Sequence, residues 1–188
     1  MKKAAAPVAA GDPWIGLKRF TTARIALGRT GMSQPTEAHL AFQLAHARAR
    51  DAVNLPLDLE ALEKTIVQNG MATVRLASAA ADRPTFLRRP DLGRQLDAPS
   101  RKRLGELSQT ISPPDIALVI CDGLSSSAIK AHAAPFTKML IQALAERAYE
   151  ASPVCLVAQG RVAVGDPIGA ILSANVAVCT SLGLLPTI

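Results

Sequence analysis

Aromatic residues are scarce. One Trp, one Tyr and four Phe make up 3% of the 188 residues, whereas 49% are hydrophobic. The core must therefore be aliphatic, which favours layered α/β packing over an all-β sandwich and argues against disorder except at the ends. The scarcity also weighs against nucleic acid as a ligand. A net charge of +6 and a pI of about 9.7 invite that reading. Single-strand binders, however, interleave basic and aromatic side chains for base stacking. This chain lacks that pattern and has no Lys-rich tail. A basic surface facing an anionic cofactor or an acidic protein is the expectation.

Cysteine is equally sparse. Cys121, Cys155 and Cys179 lie in separate apolar runs, with neither the spacing of a metal site nor that of a disulfide framework. They read as small buried hydrophobes in a reducing compartment. The N-terminal "MKKAAAPVAAGDPW" is too short in its apolar part, and too interrupted by Pro7, for a signal peptide. The uncharged run near the C-terminus is broken by Pro and Gly, so no membrane span is expected. The chain reads as a cytoplasmic protein.

Catalytic signatures are missing too. No GxGxxG follows a strand, and there is no Walker loop and no GxSxG. Ser125, Ser126 and Ser127 lack His-Asp support, and His132 is separated from them by a helical pattern. No paired-carboxylate motif stands out. The chain is expected to hold a ligand without carrying out the bond chemistry itself.

Residues 1–11 read as a flexible tail, and 12–70 as a helical N-terminal part. Asp12-Pro13 opens a helix as N-cap and first-turn proline, with Gly28 and Gly31 closing it. A second helix runs from about Pro35 to Val53, with His39 and His46 on one stripe as partly buried helix histidines, too far apart for one metal. A third is closed by Asn69-Gly70. Residues 71–114 comprise a strand around Val74 and Leu76 and an Arg/Pro-rich connecting segment. There Arg83, Arg88, Arg89 and Arg94 alternate with Asp82 and Asp91, and Pro84 and Pro90 hold their preceding residues extended. The segment suits an ion-pair scaffold or a docking surface.

From residue 115 the pattern becomes regular: strand 116–121, a helix from about 126 to 148, strand 154–158, a short helix near 167–173 and strand 176–180. Crossovers of this length favour parallel strands covered on both faces. Open parallel sheets bind ligands beyond the carboxyl ends of their strands. Asp122 and Gly123 follow the first strand of this run. Gly160, Arg161 and Val162 follow the second. Glycine allows close backbone approach there, and the helix that follows offers free N–H groups to an anionic or polar ligand. Asp-Gly after a strand is also a common turn.

Four stretches, in order, carry a family resemblance. "DPWIGLKRFTTARIALGRTGMSQPTEAHLAFQLAHARARDAV", "FLRRPDLGRQL", "ALVICDGLSSSAI" and "QGRVAVGDPIGAILSA" resemble the small (light) subunit of ethanolamine ammonia-lyase, collinearly from Asp12 to about Val178. The resemblance implies a helical N-terminal part followed by a Rossmann-like parallel-sheet domain. It implies a subunit of an adenosylcobalamin-dependent lyase that converts ethanolamine to acetaldehyde and ammonia. A TIM-barrel large (heavy) subunit binds ethanolamine, and the small subunit covers the cofactor at the interface of a hetero-oligomer. The radical chemistry begins with homolysis of the cofactor's Co–C bond and belongs to the cofactor. The base-off motif DxHxxG is not found around His39, His46 or His132. The family keeps the cofactor's own benzimidazole on cobalt.

By the same resemblance the family's cofactor contact at the valine of its GRV motif falls on Val162. Arg161 and Gly160 shape the approach, and Asp122 and Gly123 lie beside it. Arg88, Arg89 and Asp91 are candidate contacts to the large subunit or the domain junction. The location is the cytoplasm, with a bacterial microcompartment as a further possibility that the family allows.

After "NVAV" the match stops. The family continues with a Gly-Glu-Arg-Pro-Gly segment and a later Cys-Ile-Ser-Asn motif, both cofactor contacts, whereas this chain reads "CTSLGLLPTI". Gly183 stands where the glutamate would be, and Cys179 does not replace the missing cysteine. The expectation is a cofactor-binding part over 115–188 that is incomplete at its C-terminal end, with weak cobalamin binding. The alternatives are a stand-alone nucleotide- or cobalamin-binding module, or an inactive remnant.

Overall fold

A computed structural model describes residues 12–181. The tail assigned to residues 1–11, and Gly183, lie outside the described residues. The chain divides into two compact units, with the division between Asp51 and Ala52.

The first unit departs from the sequence expectation. No α-helix runs from Asp12 to Gly28. Residues Ile15–Phe20 form a short 3-10 helix with none of its residues buried. With no apolar face buried, packing does not extend it, and helices this short are marginal without packing. Asp12 does close a turn, accepting a hydrogen bond from the Trp14 amide at 2.9 Å. Left-handed residues Ala26, Gly28 and Gly31 then end the possibility of a continuous helix. Helix α1, Thr36–Asn54, forms as expected. Its two histidines are exposed rather than partly buried, and His39 contacts the Gln43 side chain at 2.9 Å. Trp14 is exposed in this unit.

The second unit is a four-stranded, all-parallel sheet with strands β1 (Thr73–Ala77), β2 (Ile116–Cys121), β3 (Val154–Ala158) and β4 (Val176–Thr180). Their spatial order is β1-β3-β2-β4. β2 and β3 are nearly continuous runs of buried aliphatic residues because both of their faces are covered. On one face helices α2 (Leu59–Gln68) and α5 (Ser126–Ala145) pack Leu62, Ile66, Ile129 and Ala133 against Leu118, Ile120 and Leu156. On the other, helices α4 (Ala98–Ser108) and α6 (Gly165–Leu172) pack Leu104, Ile168 and Leu172 against Val119, Cys121 and Val157. The crossings from β1 to β2 and from β3 to β4 use the α4–α6 face and run one way across the sheet. The crossing from β2 to β3 uses the α5 face and runs back, as a single handedness requires.

Three of the long helices start at a capping side chain. Asp58 caps α2, Asp97 caps α4 and Ser125 caps α5, each side chain accepting from an amide three residues on. The segment after β1 also differs from the expectation of an extended connection. Arg83–Arg88 is a helical turn, α3, capped by Asp82. Pro84 lies in its first turn, where a missing N–H costs little, so Arg83 is helical rather than extended.

Candidate functional site

The sheet order sets the location. β2 and β3 are neighbours, yet their outgoing connections leave toward opposite faces, so a crevice opens at their carboxyl ends. Two loops meet there. After β2 come Asp122 and Gly123, and Gly123 takes a left-handed φ of 51° to turn the chain into α5. After β3 come Gln159 and Gly160. A Cβ on Gly160 would lie 2.7 Å from the Cβ of Cys121 and 3.1 Å from Val157 Cγ1, so only glycine lets the two strand ends approach this closely.

Asp122 fastens the loops. It is 2% exposed. One carboxylate oxygen accepts from the Gly160 amide at 3.1 Å, and the other accepts from Arg83 Nη1 at 3.1 Å. Burial pushes the Asp122 carboxyl above its ordinary range, while the Arg83 guanidinium and the Gln159 and Gly160 amides act against that shift. Arg83, withdrawn from water in α3, reaches the Gln159 side chain at 3.3 Å and the Val53 carbonyl at 2.7 Å. Its own pKa is lowered, chiefly by burial. The Ser78 hydroxyl, just past β1, donates to the Gln159 carbonyl at 2.7 Å and adds a third strand end to the cluster.

Phe86 is fully buried and lies between functions of the same loops. The guanidinium carbons of Arg83 and Arg161 stand 4.6 and 4.5 Å from its ring centroid. Arg161 Nη2 also donates to the Phe86 carbonyl at 3.0 Å, and the Arg161 amide donates to the Gly93 carbonyl at 2.8 Å. Two buried nitrogens, Arg83 Nη2 and Arg161 Nε, have no hydrogen-bond partner.

Above this clamp is a cavity of about 390 Å³, lined by Phe86, Arg94, Gly123, Leu124, Arg161, Val162, Ala163 and Ser181. Of the residues expected from sequence, Gly123, Arg161 and Val162 line it, and Val162 is 59% exposed. Asp122 and Gly160 lie behind the wall, where they hold it in place. Phe86, Arg94 and Ser181 were not anticipated as lining residues. The Arg-rich stretch splits by role. Arg83 is in the clamp and Arg94 is at the cavity. Arg89 and Asp91 form an exposed pair at 2.6 Å, and Arg88 Nε donates to the Pro84 carbonyl.

Cys121 and Cys155 are buried and Cys179 partly so, and all three are free thiols. Among the described residues no cluster of three or more His, Cys, Asp or Glu side chains could hold a metal ion. Nor is any described helix long and apolar enough to cross a membrane.

The fold defines an open, parallel α/β domain with a crevice at a strand-order reversal. Its family follows from comparison. Residues 11–183 match the ethanolamine ammonia-lyase light chain family, and the chain belongs to that family. It is 51% identical over 170 residues to an ethanolamine ammonia-lyase small subunit from Ralstonia nicotianae, covering 89% of this chain and 62% of that protein. It is 52% identical over 171 residues to the small subunit of Pseudomonas aeruginosa strain LESB58, covering 90% and 62%. With the small subunit of Azotobacter vinelandii the identity is 48% over 168 residues, covering 89% and 62%. The chain thus spans about 62% of the length of these curated relatives.

Proposed function

We propose that the chain acts as the small subunit of an adenosylcobalamin-dependent ethanolamine ammonia-lyase, in the cytoplasm, together with a large subunit that holds ethanolamine. The observation that carries this reading is the position of Val162. In a chain of this family, the residue expected at the cofactor stands exposed at the mouth of the strand-end cavity.

The residues present fit such a cofactor. The lining combines an apolar surface from Leu124, Val162 and Ala163 with the guanidinium groups of Arg94 and Arg161. That pairing suits a flat macrocycle with amide and phosphate substituents. Arg161 Nε is a buried donor still without an acceptor. None of the described lining residues is acidic.

When bound, the cofactor supplies the radical chemistry of the reaction. The residues of this chain bind and orient. Val162 and Ala163 present apolar surface, Arg94 and Arg161 donate hydrogen bonds, and the buried Arg83–Asp122 pair fixes the loops that carry them.

The test is co-expression with a large subunit. The expected result is a hetero-oligomer that releases ammonia from ethanolamine only when adenosylcobalamin is added. A chain that folds but forms no complex with large subunits would overturn the proposal.

A further inference from the structure

Cys121 and Cys179 lie at the carboxyl ends of neighbouring parallel strands. Their Sγ atoms are 3.6 Å apart, and both are free thiols. The β2–β4 register sets Cys179 opposite Val119, so the two sulfurs meet on a diagonal, from one face of the sheet. A disulfide has an S–S bond of about 2.0 Å and Cα atoms within about 7 Å, and diagonal neighbours start about 7–8 Å apart, so closure asks β4 to draw toward β2 as the sulfurs move together by less than ~2 Å. The sheet can supply that movement. β2 is held on both sides, by β3 and β4, whereas β4, the edge strand among the described residues, is hydrogen-bonded to β2 alone and is packed on one face by α6.

Access to the pair is asymmetric. Cys121 is 0% exposed, and Cys179 is partly exposed. The Cys121 S–H supports a thiolate on Cys179 and lowers its pKa, while the pKa of Cys121 is pushed up. The third thiol, Cys155 on β3, is 0% exposed, and burial pushes it up to about 12.

We infer that Cys121 and Cys179 form a modification site that closes to an intrachain disulfide when the protein meets a low-molecular-weight disulfide, with Cys179 as the entering thiol and Cys121 as the resolving thiol. In the first step the Cys179 thiolate attacks one sulfur of the external disulfide. The external S–S bond breaks, a mixed disulfide forms on Cys179, and the departing thiolate takes up the proton that Cys179 released. In the second, the Cys121 sulfur attacks Cys179 Sγ as its own proton leaves. The mixed disulfide breaks, and a second external thiol departs carrying that proton. Two protein thiols are oxidised by two electrons, and one external disulfide is reduced to two thiols.

The bond would tie the edge strand to the centre of the sheet beside the crevice. Asp122 and Gly123 follow Cys121 directly, and Ser181 at the cavity lies two residues past Cys179. The inference depends on the sulfur geometry and not on the proposed lyase activity.

The whole folded chain is treated with oxidised glutathione, alkylated and mapped without reduction. Cleavage after Lys and Arg places the three cysteines in separate peptides, ending at Lys130, ending at Arg161 and beginning at Val162. The expected product is the first peptide linked to the third with the loss of two hydrogens, while Cys155 is alkylated only after unfolding. In a Cys121→Ser variant the reaction should stop at glutathione on Cys179. A folded wild-type chain whose Cys121 and Cys179 both stay unlinked would overturn the inference. So would glutathione retained on Cys179 of the wild type, or a link to Cys155.

Discussion

The guanidinium of Arg83 lies 3.1 Å from the carboxylate of Asp122, and each side chain is at least nine-tenths withdrawn from water. The two come from different layers of sequence, one from the turn after β1 and the other from the end of β2. Together they hold the loop that carries Gly160 and Val162. Removing one member of a buried pair strands the other charge without compensation. Arg83→Met is therefore expected to cost about 3 kcal/mol in urea unfolding, in the range measured for broken buried pairs. Arg83→Met combined with Asp122→Asn should recover a large part of the loss. A double variant less stable than the single one would show that the pair is not what holds the loops.

Gly160→Ala places a methyl group where Cys121 Cβ would be 2.7 Å away. Neither backbone can yield, because both strands are central or next to central in the sheet. Overpacking of this kind costs about 1–3 kcal/mol. Thermal unfolding should show the loss, and Gly105→Ala, at a position with open space around it, should not show one of that size.

Val162→Trp changes an exposed residue, so unfolding should shift by no more than about 0.5 kcal/mol. In the reconstituted complex the same change is expected to weaken adenosylcobalamin binding at least tenfold, about 1.4 kcal/mol, with subunit assembly retained. Unchanged affinity in a spectroscopic cofactor titration would remove Val162 from the site.

Arg89 and Asp91 form an exposed bidentate pair. The guanidinium is the main reason that the Asp91 carboxyl is lowered to about 2. A depressed carboxyl pKa contributes stability above its unfolded value near 3.8, and that contribution fades as pH falls toward 2. The contribution is small because both groups are in water. A carboxyl NMR titration should place the Asp91 midpoint near 2, and Arg89→Ala should raise it. Arg89→Glu should leave the fold intact. Under the proposed function it should also weaken association with the large subunit, as a gel-filtration or ultracentrifugation assay would show.

Strand boundaries were legible because β2, β3 and β4 are short uncharged runs closed by Asp, Gln-Gly or a break in hydropathy, a signal local to each strand. Helix α4 went unread for the opposite reason. Only Ser100 and Leu104 of it are buried, so its apolar periodicity is faint. The Asp97-Ala98-Pro99 start, an N-cap with a first-turn proline, was the signal that could have found it. At the site, Gly123 and Arg161 were readable from strand-end position, and Val162 from that position together with the resemblance of the GRV motif. Phe86, Arg83 and Arg94 were not, because a tertiary contact brings the β1–α4 loop to the ends of β2 and β3. The N-terminal helix was over-read because Leu17, Phe20 and Leu27 have helical spacing, while Leu17 and Phe20 remain exposed and so gain nothing from a longer helix.

The single tryptophan, Trp14, belongs to the first unit, and all four strands belong to the second. Tryptophan emission during denaturation, excited where Tyr149 absorbs little, therefore reports the surroundings of the N-terminal segment. Circular dichroism follows the backbone of both. Non-coincident curves from the two probes would mean that the halves of this chain lose their structure separately, and a single unfolding free energy would then describe neither.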